Sequence, residues 1–351
     1  MRKKISLGVG VLLVLAAGAW LMRASLGTLL LERFAATRAG RDITADLPDG
    51  LHVVLCGTGS PLPDPARAGP CTLVIAGRTI VIVDAGEGGA RNLARWGVPV
   101  GRIDALLLTH FHSDHLDGIG PLMLMRWTGR TATSPLPVLG PPGVEQVMAG
   151  FNAAYALDNG YRTAHHGPVI TPPSGAGGAA RTVMPGQVWN RDGLVITAIA
   201  VNHRPVSPAY GYRFDYKGRS VVLSGDTAPS VVVTSAAKGA DLLVHEALQP
   251  RLVALLTKAL AARGAGNTAQ ITRDITDYHT TPEAAADIAQ KAGVKQLVLS
   301  HIVPPIPSSL FDAAFLGDAP SRFSGDIVVG RDGMMFSLTA GSTAIAARTL
   351  N

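Results

Sequence analysis

Residues 105–115 read Ala-Leu-Leu-Leu-Thr-His-Phe-His-Ser-Asp-His, an apolar run followed by three histidines and an aspartate within six positions. The apolar run predicts a buried strand, and the polar residues predict a loop at its end. Because side chains of an extended chain repeat every two residues, His110 and His112 are expected to point the same way. Imidazole nitrogens and carboxylate oxygens are ligands for zinc and similar metals. The stretch therefore predicts a metal site, with Asp114 and His115 turned towards a second ion.

Three further residues end apolar segments later in the chain, where proteins with alternating strands and helices commonly present functional groups. They are His203, which follows residues 194–202, Asp226 in Ser224-Gly225-Asp226-Thr227, and His301, which follows Leu299-Ser300. Each is a weak signal by itself, because any His or Asp can end a strand.

The pattern His-x-His-x-Asp-His after a hydrophobic strand resembles the signature of the metallo-β-lactamase superfamily. The turn Gly57-Thr58-Gly59-Ser60 is similar to that of its ribonuclease Z-like members. The resemblance extends from about residue 51 and implies a four-layer αββα sandwich with the metal-bearing loops at one edge of the sheets. The alternation of strands and helices predicts only an α/β fold.

The resemblance also implies a ligand set for two divalent metal ions. It places one ion on His110, His112 and His203. It places the other on Asp114, His115 and His301, with Asp226 as the bridge. Zinc is expected from the histidine-rich ligands, and manganese and iron are alternatives. Asp84 resembles the superfamily's structural aspartate that supports the metal loop.

Two adjacent divalent ions activate a bound water and clamp both oxygens of an in-line displacement. By resemblance, Asp114 would orient the water, His279 would be the general acid, and Glu246 would fix the tautomer of His279. The sequence therefore predicts a hydrolase of phosphodiester bonds. An arylsulfatase or a lactonase on the same site is an alternative, and a membrane-anchored, non-catalytic binding protein is an alternative of another class.

The substrate expectation departs from that of ribonuclease Z, which carries a long basic arm that grips tRNA. Here the chain runs from Tyr212 to Asp226 through a tight hairpin, and Ile-Val-Pro-Pro follows His301. We therefore expect a small-molecule ester substrate and no tRNA. β-Lactam hydrolysis is disfavoured, because those enzymes usually lack the bridging aspartate and an acid like His279.

Outside the motifs, local patterns predict a helix over about residues 144–157 and then a polar loop that puts His165 and His166 on the surface. A second helix is predicted around 249–263, followed by a polar stretch to residue 278.

Cys56 and Cys71 are too few for a disulfide scaffold; they either pair or remain two buried thiols. The sequence leaves the oligomeric state open, with a dimer as one alternative.

The N-terminus combines three basic residues (Arg2, Lys3, Lys4) with an apolar stretch from Ile5 to Met22. This predicts a signal peptide or membrane anchor over residues 1–23, a connector over 24–50 and a hydrolase domain over 51–351. The protein would be exported, either periplasmic or anchored in the inner membrane facing the periplasm. Without residues 1–23 the chain has 27 basic and 25 acidic residues, and the sequence shows no clustered basic stretch typical of a nucleic-acid binder.

Overall fold

The computed structural model describes residue 16 and residues 18–350. Its helices are α1 (Arg23–Arg38), α2 (Gly89–Arg95), α3 (Ile119–Gly129), α4 (Val144–His166), α5 (Val231–Ala236), α6 (Pro250–Ala262), α7 (Gly266–Asp274), α8 (Pro282–Ala292) and α9 (Asp312–Leu316). Its strands are β1 (Gly50–Gly57), β2 (Cys71–Ala76), β3 (Thr79–Val83), β4 (Ala105–Leu107), β5 (Leu136–Gly140), β6 (Gly178–Thr182), β7 (Gly186–Arg191), β8 (Leu194–His203), β9 (Val206–Tyr216), β10 (Arg219–Leu223), β11 (Leu242–Leu248), β12 (Gln296–Val303), β13 (Asp326–Val329), β14 (Met334–Thr339) and β15 (Ala346–Thr349). Short 3-10 turns include Ser113–His115 and Ile275–Asp277.

The strands form two mixed sheets. Within the described residues the first sheet has the order β15-β14-β1-β2-β3-β4-β5-β6, and the second has the order β13-β12-β11-β10-β9-β8-β7. Strands β3 to β6 are parallel in the first sheet, and strands β10 to β13 are parallel in the second. The carboxyl ends of parallel strands share one edge of a sheet, so each sheet gathers the loops that follow these strands.

Three apolar clusters define the layers. One lies between the sheets and joins Leu107 and Val81 of the first sheet to Tyr212 and Val244 of the second. A second cluster packs α2, α3 and α4 on the outer face of the first sheet, and a third packs α5 and α8 on the outer face of the second. Strand β1 is buried along its whole length because both of its faces are covered. The layers therefore follow the order α, β, β, α, as the family resemblance implied.

A disulfide joins Cys56 at the end of β1 to Cys71 at the start of β2. The two Cα atoms are 5.0 Å apart, and the bond closes the loop between the two strands. The pairing that the sequence left open is therefore formed in the structure.

The predicted signal peptide or anchor falls mainly on residues outside those the structure describes. Of the helices that are described, none is both long and apolar enough to cross a membrane. Helix α1 has no buried residue. The part of the predicted connector (24–50) that follows α1 is attached to the domain through Arg102 Nη1, which lies 3.0 Å from Asp42 Oδ2, and through the amide of Ile43, which donates to Gly97 O.

Two helices differ from the sequence expectation. Helix α4 extends to His166, nine residues beyond the predicted end, and its last turn carries His165 and His166 on the surface. The stretch after residue 263, which was predicted as polar without a secondary structure, contains helix α7. The buried hydroxyls of Thr257 on α6 and Thr272 on α7 are 2.8 Å apart, so α7 is held by tertiary packing.

Candidate metal centre

The histidine-rich loop follows strand β4 of the first sheet. The amide of Leu108 donates to Leu139 O, and Tyr212 Oη donates to Leu108 O at 2.7 Å, which fixes the chain just after β4. His110 is fully buried, and its Nε2 lies 2.9 Å from Nδ1 of His112. The chain then forms the 3-10 turn Ser113–His115. This turn directs Asp114 and His115 towards the same region as the two preceding histidines.

The second sheet delivers the remaining candidates. His203 ends β8, and Asp226 follows β10 after Gly225. Gly225 has a φ of +60°, and a Cβ at this position would lie 2.2 Å from Tyr210 O, so only glycine fits. His301 interrupts the pairing of β12 with β11 and has a φ of +48°. A non-glycine residue at positive φ is uncommon and marks a position that the surrounding structure holds in place.

Asp226 lies between the two groups of predicted ligands. Its Oδ2 is 3.4 Å from His115 Nε2 and 3.2 Å from His301 Nε2. The same oxygen is 3.9 Å from the Nε2 atoms of His110 and His203. One buried carboxylate therefore faces histidines on both sides.

All seven residues predicted as metal ligands come together in the structure. Among the described residues, sets whose ligand atoms lie within 4.8 Å of one another are His110, His112, His203 and Asp226; Asp114, His115 and His301; and Asp226, His279 and His301. The Nε2 of His115, which faces the carboxylates of Asp114 and Asp226, is buried without a hydrogen-bond partner in the described structure. The converging histidine nitrogens and carboxylates form a donor set that suits divalent metals such as zinc, manganese and iron.

The local charges favour the ligating forms of two of these groups, Asp226 and His110. Burial opposes ionisation of Asp226, but the neighbouring His301 and His115 hold the pKa of its carboxyl well below its usual range. Burial, reinforced by the charge of His115, lowers the pKa of His110 well below its ordinary value. An ionised carboxylate and a neutral imidazole are the forms that bind a metal.

Asp84 supports the loop from behind. One of its oxygens accepts a bond from the amide of Thr109, and the other accepts bonds from Thr109 Oγ1 and His115 Nδ1, all at 2.8 Å. The bond to Nδ1 turns Nε2 of His115 towards the centre, as outer carboxylates do in metal sites. The structural position predicted for Asp84 agrees with these contacts. A role for Thr109 was not predicted, although its place directly before the first histidine was the available signal.

His279 and Glu246 form an ion pair beside the centre. The Nδ1 of His279 lies 3.1 Å from Glu246 Oε1, which also accepts bonds from the amides of Thr227 and Thr280. Burial disfavours the charged imidazole, but the attraction of Glu246 outweighs it and raises the pKa of His279 to about 9. Thr227 and Thr280, which the sequence analysis did not single out, fix the carboxylate that holds His279.

A pocket of about 200 Å³ opens above the centre. It is lined by Ser60, Pro61, Leu62, His112, Ser113, Asp114, Asp226, Ile271, Ile275, Tyr278, His279, His301 and Val303. Ligands from both groups and His279 therefore share one opening to solvent. His165 and His166 are in none of the ligand sets given above and are exposed, as predicted.

Comparisons with known proteins agree with this architecture. Residues 79–302 match the family described as the β-lactamase superfamily domain. Ribonuclease Z of Mycobacterium avium (strain 104) is 40% identical over 284 residues, which are 80% of this chain and 96% of that protein.

Two solved structures share the fold. The metallo-β-lactamase fold protein YhfI from Bacillus subtilis superposes with a TM-score of 0.61 at 21% identity, covering 82% of this chain and 99% of that one. The short form of human tRNase Z superposes with a TM-score of 0.57 at 21% identity, covering 83% of this chain and 100% of that one. The chain therefore belongs to the metallo-β-lactamase superfamily, within which it is a homologue of ribonuclease Z.

Proposed function

We propose a ligand assignment and a division of labour among side chains for this ribonuclease Z-like, metal-dependent phosphodiesterase. His110, His112 and His203 would hold one divalent ion, and Asp114, His115 and His301 would hold the other. Asp226 would bridge the two, and the position of its Oδ2 between both groups carries the assignment. Histidine-rich ligation makes zinc the proposed metal.

Two divalent ions at such a site supply a nucleophile at neutral pH and withdraw charge from the attacking and leaving oxygens. Asp114 lines the pocket and would accept a hydrogen bond from the attacking water, which orients it. The Nδ1 of His279 donates to Glu246, and the imidazole also lines the pocket, so its Nε2 would deliver a proton to the leaving oxygen. Glu246, held by two amides, would keep this imidazole in place.

We also propose a substrate class. Homology to ribonuclease Z suggests a nucleic-acid substrate. Two features favour a small phosphodiester instead. Strands β9 and β10 join through Lys217 and Gly218 alone, which leaves no room for an arm at that point. In addition, the pocket residues given above include no Lys or Arg.

The test is a substrate panel on full-length, metal-loaded protein. We expect chelator-sensitive hydrolysis of bis(p-nitrophenyl) phosphate, a loss of more than about 100-fold in Asp226→Ala, and wild-type turnover in the exposed control Asp46→Ala. Faster cleavage of p-nitrophenyl sulfate or of a lactone would assign the site to the sulfatase or lactonase alternative. Preferred cleavage of a 3′-extended tRNA precursor would overturn the small-substrate proposal. No turnover of any substrate with two metals bound would favour the binding protein.

Export is a separate proposal, with residues 1–23 as signal peptide or anchor. It is supported by the charge pattern of that segment and by the Cys56–Cys71 disulfide, because disulfides persist mainly in oxidising compartments. Cell fractionation together with the intact mass of the mature chain tests it. Protein in the periplasm or inner membrane supports the proposal, and a full-length chain recovered in the cytosol contradicts it.

A further inference from the structure

The pocket above the metal centre has a polar side and an apolar side. The polar side consists of the predicted ligands, His279, Ser60 and Ser113. The apolar side, named here the apolar wall, consists of Pro61, Leu62, Ile271, Ile275, Tyr278 and Val303. We infer that the apolar wall receives an uncharged group of about one aromatic ring, esterified to the phosphate of the substrate. This inference rests on the proposed phosphodiesterase function and names its substrate class.

Three residues of the wall, Leu62, Ile275 and Val303, are packed into the fold. Leu62, from the loop after β1, and Ile275, from the turn after α7, pack against Leu248, Val253 and Val303. The wall is thus assembled from segments far apart in sequence over a small buried core. Close packing holds such side chains in fixed positions, so the wall is suited to select a ligand by shape.

Ile271 lies at the mouth of this pocket and is 58% exposed. Exposed apolar surface gains free energy when a ligand covers it. Three polar residues of α7 bond to one another instead: Gln270 accepts a bond from Arg273 Nη2 and donates to Asp274 Oδ1, both at 2.6 Å. Helix α7 therefore contributes the apolar side chain of Ile271 to the pocket.

The size and charge of the pocket favour a neutral ring. A cavity of about 150 Å³ is large enough to hold benzene, and this pocket measures about 200 Å³. The residues that line the pocket include no Lys or Arg that would bind a second phosphate beside the wall. Because His279 shares the pocket, the ring would belong to the leaving group.

The test compares two non-hydrolysable probes, phenylphosphonate and methylphosphonate, by calorimetry on the full-length protein with its metals bound. We expect phenylphosphonate to bind about tenfold more tightly, because only it reaches the wall. The ratio should fall about threefold in Ile271→Ala and in Ile275→Ala. Leu255→Ala removes a leucine of α6 that is 65% exposed and does not line the pocket, so it should leave the ratio unchanged.

Equal affinity for the two phosphonates, or a preference that survives both isoleucine substitutions in folded protein, would overturn the inference. Undetectable binding of both would overturn it too, since the wall would then contribute no affinity. Different outcomes would refute this inference and the proposed function. Chelator-sensitive phosphodiester hydrolysis without a phenyl preference leaves the function intact. A phenyl preference without hydrolysis removes the function and keeps the wall as a binding site.

Discussion

The imidazole of His279 is held by the carboxylate of Glu246, with Nδ1 and Oε1 3.1 Å apart and both side chains almost completely buried. The contact places the free nitrogen of His279 towards the pocket that contains the candidate ligands. It also gives the imidazole a partner that stabilises its protonated form.

We expect His279→Asn to slow hydrolysis of a methyl phenyl phosphate diester by about 100-fold or more, because general acids contribute about this much. The corresponding p-nitrophenyl ester should be affected far less, since its leaving group needs little protonation. Glu246→Gln should show the same selectivity at a smaller magnitude. Steady-state kinetics on the two esters measures the effect.

Metal analysis keeps this prediction separate from a ligand role, because His279 also belongs to one set of converging donors. Two metals per chain should remain in His279→Asn, and the exposed His165→Asn is the control for purification and loading. A loss of one metal in the His279 variant would make this histidine a ligand and contradict its assignment as the acid.

Asp84 should contribute to metal affinity through His115. Asp84→Asn is expected to weaken metal binding by about 10- to 100-fold, the usual effect of losing an outer carboxylate on a ligating histidine. Competition with a chromogenic chelator measures this affinity.

Asp84→Ala should lose metal affinity similarly and also lower the free energy of unfolding by about 1–2 kcal/mol more than Asn. The reason is a φ of +56° at this residue, which asparagine tolerates better than alanine. Asp192→Ala is the matched control, because Asp192 is exposed and has a φ of +55°. It should show the backbone cost with unchanged metal affinity. Equal unfolding free energies for the Asn and Ala variants at residue 84 would refute the strain argument.

The Cys56–Cys71 disulfide should stabilise the fold. The two cysteines are 15 residues apart, and a loop of that size corresponds to about 3 kcal/mol of unfolding free energy. Dithiothreitol should therefore lower the melting temperature of the wild type. It should have no effect on the double variant Cys56→Ala with Cys71→Ala, which should melt near the reduced wild type. Identical melting with and without reductant would show that the bond contributes nothing.

Asp241 joins three strands. Its Oδ2 accepts bonds from Arg219 Nε at 3.0 Å and the Ser220 amide at 2.9 Å, and its Oδ1 accepts one from Lys295 Nζ at 2.6 Å. Burial opposes ionisation of Asp241, but these partners outweigh it and lower the pKa of its carboxyl. A lowered folded pKa gives stability that is present above the unfolded pKa of about 3.9 and is lost as the pH falls below it.

Asp241→Asn should therefore be less stable than the wild type at pH 7, by about 3 kcal/mol, because Arg219 is left buried without its carboxylate. At pH 3 the difference between the two proteins should shrink. Urea unfolding at both pH values measures it. A difference that stays constant or grows at acid pH would contradict the assignment of this stability to ionised Asp241.

Much of the centre could be predicted because its ligands follow strands whose apolar pattern is evident in the sequence. The run from Leu106 to His115 combines strand, loop and ligands in one short segment. His203, Asp226 and His301 required the family resemblance, since strand ends carry such residues often and their convergence is a property of the folded chain.

Other features depend on tertiary contacts that the local sequence does not show. Helix α7 has the sequence Gly-Asn-Thr-Ala-Gln-Ile-Thr-Arg-Asp, whose glycine and threonines are weak helix formers, and it forms because Ala269 and Thr272 pack on α6. The apolar wall could not be predicted either, because Leu62 and Ile275 come from loops that meet only in the folded protein.

The two sheets divide the ligands of each proposed ion between them. His110 and His112 come from the amino-terminal half and His203 from the carboxy-terminal half, and Asp114 and His115 are likewise completed by His301. Under this assignment, neither half of the chain, severed from the other, would retain all the ligands of either ion. Metal binding would consequently require the two halves to be docked. The protein could be active only after the last strands of the second sheet had been synthesised and had packed against the first sheet.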